Sequence, residues 1–280
     1  MSDFEFYRYT PSVTAAAVIA GMFGSSMSLH LYQCVRTRTK HMVPLLVGAL
    51  CEAVGFAARA VSAEEAPDYT LGPYIIQSLL VLVAPVIIAA SIYMIFGRII
   101  IVTDGGSRSL IRERLLTRIF VTGDVIAFMV QSTGASNYIT IGGLILQLLV
   151  FGFFMIISVV FYLRISRQPT RRSQNALNPW RKHLFVLYLS SLLIMIRSVF
   201  RLVEYVQGED GYLLGSEVWL YVFDAALILV VVVLFNLFHP SQMRGMMGEK
   251  DKFDLTQMTT APQSGNLYEE PRENNTAVVV

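Results

Sequence analysis

Long apolar segments recur along most of this chain, and they constrain its fold more than any other feature of the sequence. A helix needs about 20 apolar residues to cross the roughly 30 Å hydrocarbon core of a bilayer. Charged residues make up only 15% of the 280 residues, whereas about 25% is usual for a soluble domain. The apolar segments predict spanning helices over residues 13–35, 43–62, 73–102, 119–136, 139–163, 183–205 and 216–238. The predicted fold class is an all-α membrane protein with seven transmembrane helices.

The basic residues of the chain lie almost entirely in alternate loops between these segments. Those near the ends of the first, third and fifth segments are Arg36, Arg38, Lys40, Arg108, Arg112, Arg114, Arg118, Arg164, Arg167, Arg171, Arg172, Arg181 and Lys182. The N-terminal stub and the other loops contain only Arg8, together with several acidic residues. Because loops rich in Lys and Arg stay in the cytoplasm, the sequence predicts an N-terminus outside and a C-terminus in the cytoplasm.

Composition divides the chain into three regions. Residues 1–12 are predicted to form an extracellular stub, and residues 13–238 form the seven-helix transmembrane domain. Residues 239–280 are mostly polar and of mixed charge, and they include Pro262 and Pro271. A segment of this kind cannot bury enough apolar area to fold. It is therefore predicted to be a disordered cytoplasmic tail.

Ionisable and amide side chains interrupt the predicted helices at many positions. A charged side chain costs about 2.5 kcal/mol or more at the bilayer centre, so each one is a candidate functional residue. Spacings of four and seven residues place several of them on one face of a helix. The predicted substrate-binding residues are Glu52, Arg59, Gln77, Gln131, Gln147, Arg197, Arg201, Glu204, Glu217 and Asp224. They are expected to form one polar cavity toward the outer surface, while ion pairs that only set helix register are the alternative interpretation.

Two further charges, Arg98 and Asp124, are predicted to lie near the cytoplasmic ends of adjacent helices. There they are expected to form a structural ion pair, because each charge neutralises the other. On the third predicted helix, Pro85 removes a backbone hydrogen bond, and this predicts a kink.

Motifs for nucleotide hydrolysis and for enzymatic catalysis are absent from the chain. It contains no G-x-x-x-x-G-K-[ST] phosphate-binding loop and no G-x-S-x-G nucleophile turn, so neither ATP hydrolysis nor any other enzyme activity is predicted. The net charge of +2 gives no indication of nucleic-acid binding.

The histidines and cysteines do not form a recognisable metal-binding motif. The four histidines are His30, His41, His183 and His239. All map to the predicted cytoplasmic side, but none has a second histidine four residues away, so no metal site and no cofactor are predicted. Both cysteines, Cys34 and Cys51, are interpreted as small core residues.

Short motifs on these helices follow one another in a specific order. They are Glu52-x-x-Gly55-Phe56-x-x-Arg59, Tyr74-x-x-Gln77, Ala84-Pro85, Gly97-Arg98, Phe120-x-x-x-Asp124, Gln131-x-x-Gly134, Gly143-Leu144, Arg197-x-x-Phe200-Arg201-x-x-Glu204-Tyr205, Glu217-x-x-x-Tyr221-x-x-Asp224 and His239-Pro240. In this order the chain resembles the fungal lipid-translocating exporter family, also called the resistance-to-aminocholesterol family, over residues 9–240. It departs from the family pattern at Gly134-Ala135-Ser136, where the family has three glycines, and at Ser241, where the family has glycine.

The resemblance implies export, translocation or regulation of lipid-like amphiphiles such as sphingoid bases, sterol-like compounds or porphyrins, linked to resistance to toxic amphiphiles. It implies the plasma membrane, with the endoplasmic reticulum or the vacuole as alternatives, and it implies an amphiphile and membrane lipids as partners. A seven-helix receptor or membrane stress sensor is the alternative function, because the predicted topology suits signalling equally well. Small residues at Gly21, Ser25, Gly24 and Ser28 are compatible with a homo-oligomer.

Overall fold

The computed structural model of the protein describes residue 7 and residues 9–133, 137–171, 173–174, 180–208, 211–213 and 215–240. These residues form seven long helices: α1 (Val13–Thr37), α2 (Val43–Glu64), α3 (Leu71–Val102), α4 (Glu113–Ser132), α5 (Asn137–Arg167), α6 (Trp180–Gln207) and α7 (Glu217–Leu237). The described residues contain no β-strand. Each helix is long and apolar enough to cross a membrane, which confirms the predicted seven-helix fold. The protein is therefore an integral, multi-pass membrane protein.

The helix bounds agree with the prediction to within a few residues except in α4. This helix begins at Glu113 and ends at Ser132, whereas hydropathy predicts residues 119–136. The early part of α4 carries charged residues, which lower its mean hydropathy, and the long stems of such side chains still cover apolar surface. The predicted stub and tail lie mostly outside the described residues.

The helices alternate in direction, so the bundle has two ends. We call the end that carries the start of α1 the N face and the opposite end the C face. At the N face, the backbone N–H of Ser12 donates to Oε2 of Glu217 at 2.9 Å. At the C face, Oγ1 of Thr170 donates to the carbonyl oxygen of Thr103 at 2.5 Å. These two bonds join the segments before α1 and after α5 to distant helices.

Helix α2 packs closely against α3 because two of its glycines face that helix. A Cβ atom added at Gly48 would lie 2.5 Å from Cγ1 of Ile88 and 3.0 Å from the carbonyl oxygen of Ala84. A Cβ atom added at Gly55 would lie 2.9 Å from Cγ2 of Val81. Small residues at a helix contact let two backbones approach, which is how helices associate in membranes without a hydrophobic driving force between them.

Helix α3 runs without interruption from Leu71 to Val102 although it contains Pro85. Proline lacks the N–H that would donate to the carbonyl four residues earlier, which here belongs to Val81. That carbonyl oxygen accepts a hydrogen bond from Nη2 of Arg197 at 3.0 Å instead. An arginine of α6 thus satisfies the backbone group that the proline leaves without its helical donor.

An aromatic core joins α3, α4 and α5. The ring of Phe154 lies edge-on to Tyr93 at 4.6 Å, to Phe120 at 5.3 Å and to Phe96 at 5.5 Å, measured between centroids. Such edge-to-face pairs stabilise by about 0.5–1.5 kcal/mol each beyond their buried area. The aromatic core therefore sets the spacing of these three helices.

In the structure Asp124 binds Tyr93, and its predicted ion pair with Arg98 stays a prediction. Asp124 lies in the middle of α4, and its Oδ2 accepts a hydrogen bond of 2.6 Å from the hydroxyl of Tyr93. The prediction placed Asp124 near a helix end because it began α4 at residue 119. With the true start at Glu113, the carboxyl group lies in the aromatic core, beside Tyr93.

Candidate functional site

The predicted site residues separate into three groups in the structure. The first, the Arg59 cluster, consists of Arg59, Glu217, Tyr7, Tyr9 and Tyr221, with Gln77 bound to Tyr7. The second, the Asp224 cluster, consists of Glu52, Arg197, Arg201, Glu204 and Asp224. The third is a pair of glutamines, Gln131 and Gln147. The single constellation expected from the sequence is thus replaced by two neighbouring charge clusters and a separate amide pair.

Arg59 lies on α2 near the N face and is almost completely buried. Its Nη2 binds Oε1 of Glu217 at 2.8 Å and the hydroxyl of Tyr9 at 2.9 Å. Its Nε donates to the hydroxyl of Tyr221 at 3.3 Å. The rings of Tyr7, Tyr9 and Tyr221 lie 5.6 to 5.7 Å from the guanidinium carbon, which is within range of cation–π attraction. The carboxylate of Glu217 therefore neutralises this buried cation, and three aromatic rings add cation–π attraction.

The segment before α1 closes the Arg59 cluster at the N face. The hydroxyl of Tyr7 donates to Oε1 of Gln77 at 2.7 Å and lies 3.1 Å from Oγ of Ser62. The ring of Tyr7 packs edge-on against Tyr69 and Tyr74, with centroids 5.0 and 5.4 Å away. Burial is the main cause that raises the pKa of Tyr7, so its hydroxyl remains a donor. This short segment covers the polar interior of the bundle.

The Asp224 cluster lies further into the bundle, between α2, α6 and α7. Oδ1 of Asp224 forms an ion pair with Nε of Arg197, and Oδ2 lies 3.4 Å from Nη2 of Arg201. Nη1 of Arg201 binds Oε2 of Glu204 at 2.8 Å. The two arginines are four residues apart, so they share one face of α6. A single aspartate therefore forms ion pairs with both guanidinium groups.

A local change of helix type presents Asp224 to these arginines. Residues Tyr221–Ala226 form a π-helical segment between Glu217–Leu220 and Leu227–Leu237. Such segments are rare and occur often at functional sites. Tyr221 at the start of the segment binds Arg59, whereas Asp224 binds the arginines of α6. The π-helical segment thus links the two clusters.

Glu52 is the carboxyl group of the Asp224 cluster that makes neither a hydrogen bond nor an ion pair among the described residues. Its side chain is 1% exposed, and neither carboxyl oxygen has a hydrogen-bond partner. It interacts electrostatically with Asp224, Arg197 and Arg201. Within the Asp224 cluster, three carboxyl groups face two guanidinium groups. An isolated carboxylate is very costly in a low-dielectric interior, so Glu52 needs either a proton or an added cation.

The two predicted glutamines bind each other away from the charge clusters. Nε2 of Gln131 on α4 donates to Oε1 of Gln147 on α5 at 2.8 Å. Gly143 permits this contact, because a Cβ atom there would lie 2.6 Å from Cγ of Gln131. Their assignment to substrate binding stays a prediction, and the structure shows them as a bond between two helices.

Sequence reasoning missed the residues of the N-terminal segment that contribute to the site. These residues are Tyr7, Tyr9 and Ser12, which precede the first apolar segment and so lie outside the predicted helices. The tyrosines in MSDFEFYRYT could have indicated this contribution. A tyrosine packs its ring against apolar groups while its hydroxyl forms a hydrogen bond, so it suits the edge of a polar interior. The π-helical segment has no sequence signature of this kind.

Comparison with known proteins identifies the family. The family model described as RTA1 like protein matches residues 45–246, which run from the first turn of α2 to beyond the end of α7. The chain belongs to the RTA1-like family. This match confirms the resemblance found in the helix motifs. No solved structure matches this chain.

Relatives of this RTA1-like protein come from fungi. Protoporphyrin uptake protein 1 of Saccharomyces cerevisiae is 41% identical, over 84% of this chain and 92% of its own length. The probable lipid transporter atnI of Emericella nidulans is 25% identical, over 85% of this chain and 68% of its own length. The sphingoid long-chain base transporter RSB1 of Saccharomyces cerevisiae is 23% identical, over 78% of this chain and 69% of its own length.

Proposed function

We propose that this protein binds a lipid-like amphiphile within the helix bundle and moves it across or out of the membrane without ATP. The observation that carries the proposal is the buried carboxyl group of Glu52, which lies in a charge cluster with one carboxyl group more than guanidinium groups. The names of the relatives support a transport role, because they describe a protoporphyrin uptake protein, a probable lipid transporter and a sphingoid base transporter. The absence of a phosphate-binding loop supports independence from ATP.

The charge balance favours a cationic headgroup, such as the ammonium of a sphingoid base. Each arginine of the Asp224 cluster is already bound to a carboxylate, so no guanidinium remains to grip an anionic group. Arg59 is likewise bound to Glu217. An ammonium group beside Glu52 would compensate the one carboxyl group that lacks a partner.

Exchange of a proton for the ammonium group would couple transport to a proton gradient. In the proposed mechanism, Glu52 holds a proton in the empty protein, because its buried carboxyl oxygens accept no hydrogen bond that would stabilise the charged form. When the ammonium group binds, the carboxyl O–H bond breaks, the proton leaves to water, and the carboxylate pairs with the cation. One positive charge enters and one leaves, so the site keeps its net charge.

The N face is proposed to lie outside the cytoplasm. The basic loops at the ends of α1, α3 and α5 all belong to the C face, and such loops stay in the cytoplasm. A glycosylation sequon engineered into residues 64–70 should then be modified, whereas one in residues 168–178 should not. Modification of the inner loop alone would invert this orientation.

Reconstitution into liposomes tests the function. Purified protein in ATP-free liposomes should move a labelled long-chain trimethylammonium amphiphile between leaflets, and an opposed proton gradient should drive its accumulation. This probe cannot cross as a neutral amine, and protein-free liposomes supply the background. A long-chain alkyl sulfonate of equal chain length, which is permanently anionic and so cannot cross as a neutral acid, should move much more slowly. Binding without movement would favour the receptor function, and faster protein-dependent movement of the sulfonate would refute the cationic headgroup.

A further inference from the structure

Three metal-binding side chains converge at the C face, far from the two charge clusters. His30 and Cys34 lie four residues apart and hence on one face of α1. His239 follows the last residue of α7 by two positions. One ligand atom from each of the three residues lies within 4.8 Å of the other two. The first and last helices of the bundle therefore bring two imidazoles and a thiol together.

The hydrogen bonds around His30 leave one of its ring nitrogens available as a ligand. The amide Nδ2 of Asn236 donates to the carbonyl oxygen of Ser26 at 3.1 Å and to Oγ of Ser26 at 2.7 Å. Because a carbonyl only accepts, this bond sets the orientation of the amide group. Oδ1 of Asn236 then accepts from Nδ1 of His30 at 2.7 Å. The proton is on Nδ1, and the lone pair is on Nε2.

Nε2 of His30 is buried and has no hydrogen-bond partner, and the residue is 0% exposed. A buried polar atom without a partner is unusual and asks for an explanation. An imidazole whose second nitrogen donates to a fixed oxygen is the usual arrangement of a histidine that ligates a metal, because that bond holds the tautomer and the ring. The geometry of Asn236 therefore prepares His30 for a ligand.

The other two residues, Cys34 and His239, carry a thiol and an imidazole, which bind the same metal ions as His30. The ring of His239 lies 5.4 Å from that of His30, between centroids. His183 lies close enough to His239 to interact with it electrostatically. His183 is itself buried, with its Nε2 unpartnered.

We propose that His30, Cys34 and His239 bind a transition-metal ion of the zinc class, with His183 as the neighbouring donor. Imidazole and thiolate are the ligands that zinc prefers. In a tetrahedral zinc site the ligand atoms lie roughly 3.3–3.8 Å apart, so side-chain movements of about 1 Å close the site. The bound ion would join α1 to the end of α7. It would also overturn the sequence-based expectation of no metal site and of Cys34 as a plain core residue.

Cobalt titration tests the site through the colour of a thiolate–metal bond. The full-length protein, purified and stripped with a chelator, should bind one Co²⁺ per chain with a thiolate charge-transfer band that Zn²⁺ abolishes. Cys34→Ser should lose that band, and His30→Ala or His239→Ala should weaken Co²⁺ binding at least tenfold. The matched controls Cys51→Ser and His41→Ala should bind like the unchanged protein. Equal binding by all five variants, or no charge-transfer band, would overturn the proposal.

A second measurement needs no variant and so does not depend on whether the variants fold. Zn²⁺ should slow the alkylation of Cys34 by a membrane-permeant maleimide at least tenfold, and it should leave alkylation of Cys51 unchanged, as read by mass spectrometry. Both thiols are half-buried in helices, which makes Cys51 a fair internal standard. Equal alkylation rates of Cys34 with and without Zn²⁺ would refute the site. Neither measurement depends on transport.

Discussion

Replacement of Glu52 by glutamine tests the proposed role of the uncompensated carboxyl group. Glu52→Gln keeps the shape of the side chain and removes its negative charge. In the empty protein we expect the free energy of unfolding to change by less than about 1 kcal/mol, because neither carboxyl oxygen makes a hydrogen bond that the change would break. In the complex, a buried ammonium group would lose its counterion.

Glu52 is fully buried, so the loss should have the size typical of a buried charge pair. Removing one partner of a buried charge pair costs about 2–5 kcal/mol. Since 1.4 kcal/mol corresponds to a factor of ten, the Kd for an ammonium amphiphile should rise roughly 30-fold to 4,000-fold. The Kd for an uncharged amphiphile of equal chain length should change little, because the apolar contacts are kept.

Equilibrium binding and liposome transport of the trimethylammonium amphiphile measure the effect. Glu64→Gln is the matched control, because Glu64 lies on the same helix and is exposed at the N face. The control should bind and transport like the unchanged protein. If Glu52→Gln is stable and still transports the cation at the full rate under a proton gradient, the exchange of a proton for the ammonium group is refuted.

Three further perturbations follow from the packing. Asp224→Asn leaves its two arginines undercompensated and should lower the unfolding free energy in detergent by about 3–5 kcal/mol; an unchanged denaturant midpoint would contradict this. Gly143→Ala should lower the Tm because its Cβ would clash with α4, whereas Gly142→Ala has open space and should not; equal Tm values would refute the contact. Tyr9→Phe removes a hydrogen bond to Arg59 and should cost about 1.5 kcal/mol by denaturant titration, and no loss would show that the bond contributes nothing.

The sequence by itself determined the number of spanning helices and which of them carry polar residues. Hydropathy is a local property, and a membrane span needs only a long enough apolar stretch, so the seven helices could be predicted without tertiary contacts. Even so, the start of α4 at Glu113 was missed, because charged residues at a helix end lower the local hydropathy while the helix continues.

Only the tertiary structure decided which buried groups pair. Asp124 accepts from Tyr93 on α3, and the glutamines of α4 and α5 bind each other rather than joining the arginines. Such choices depend on helix rotation and relative depth, which follow from side-chain packing of the whole bundle. Sequence spacing places residues on a helix face but does not say which neighbour that face meets.

At Pro85, the sequence determines which hydrogen bond is lost, and the tertiary packing determines which residue replaces it. The sequence alone determines that Val81 loses its helical N–H donor, because proline has none to offer four residues later. Nothing in the sequence names the replacement, since Arg197 is more than one hundred residues away along the chain and reaches the carbonyl only when α6 packs beside α3. The same holds at the C face, where His239 comes near His30 and Cys34 because α7 packs against α1. Covalent geometry is local, whereas the partner of a buried polar group is set by the packing of the whole chain.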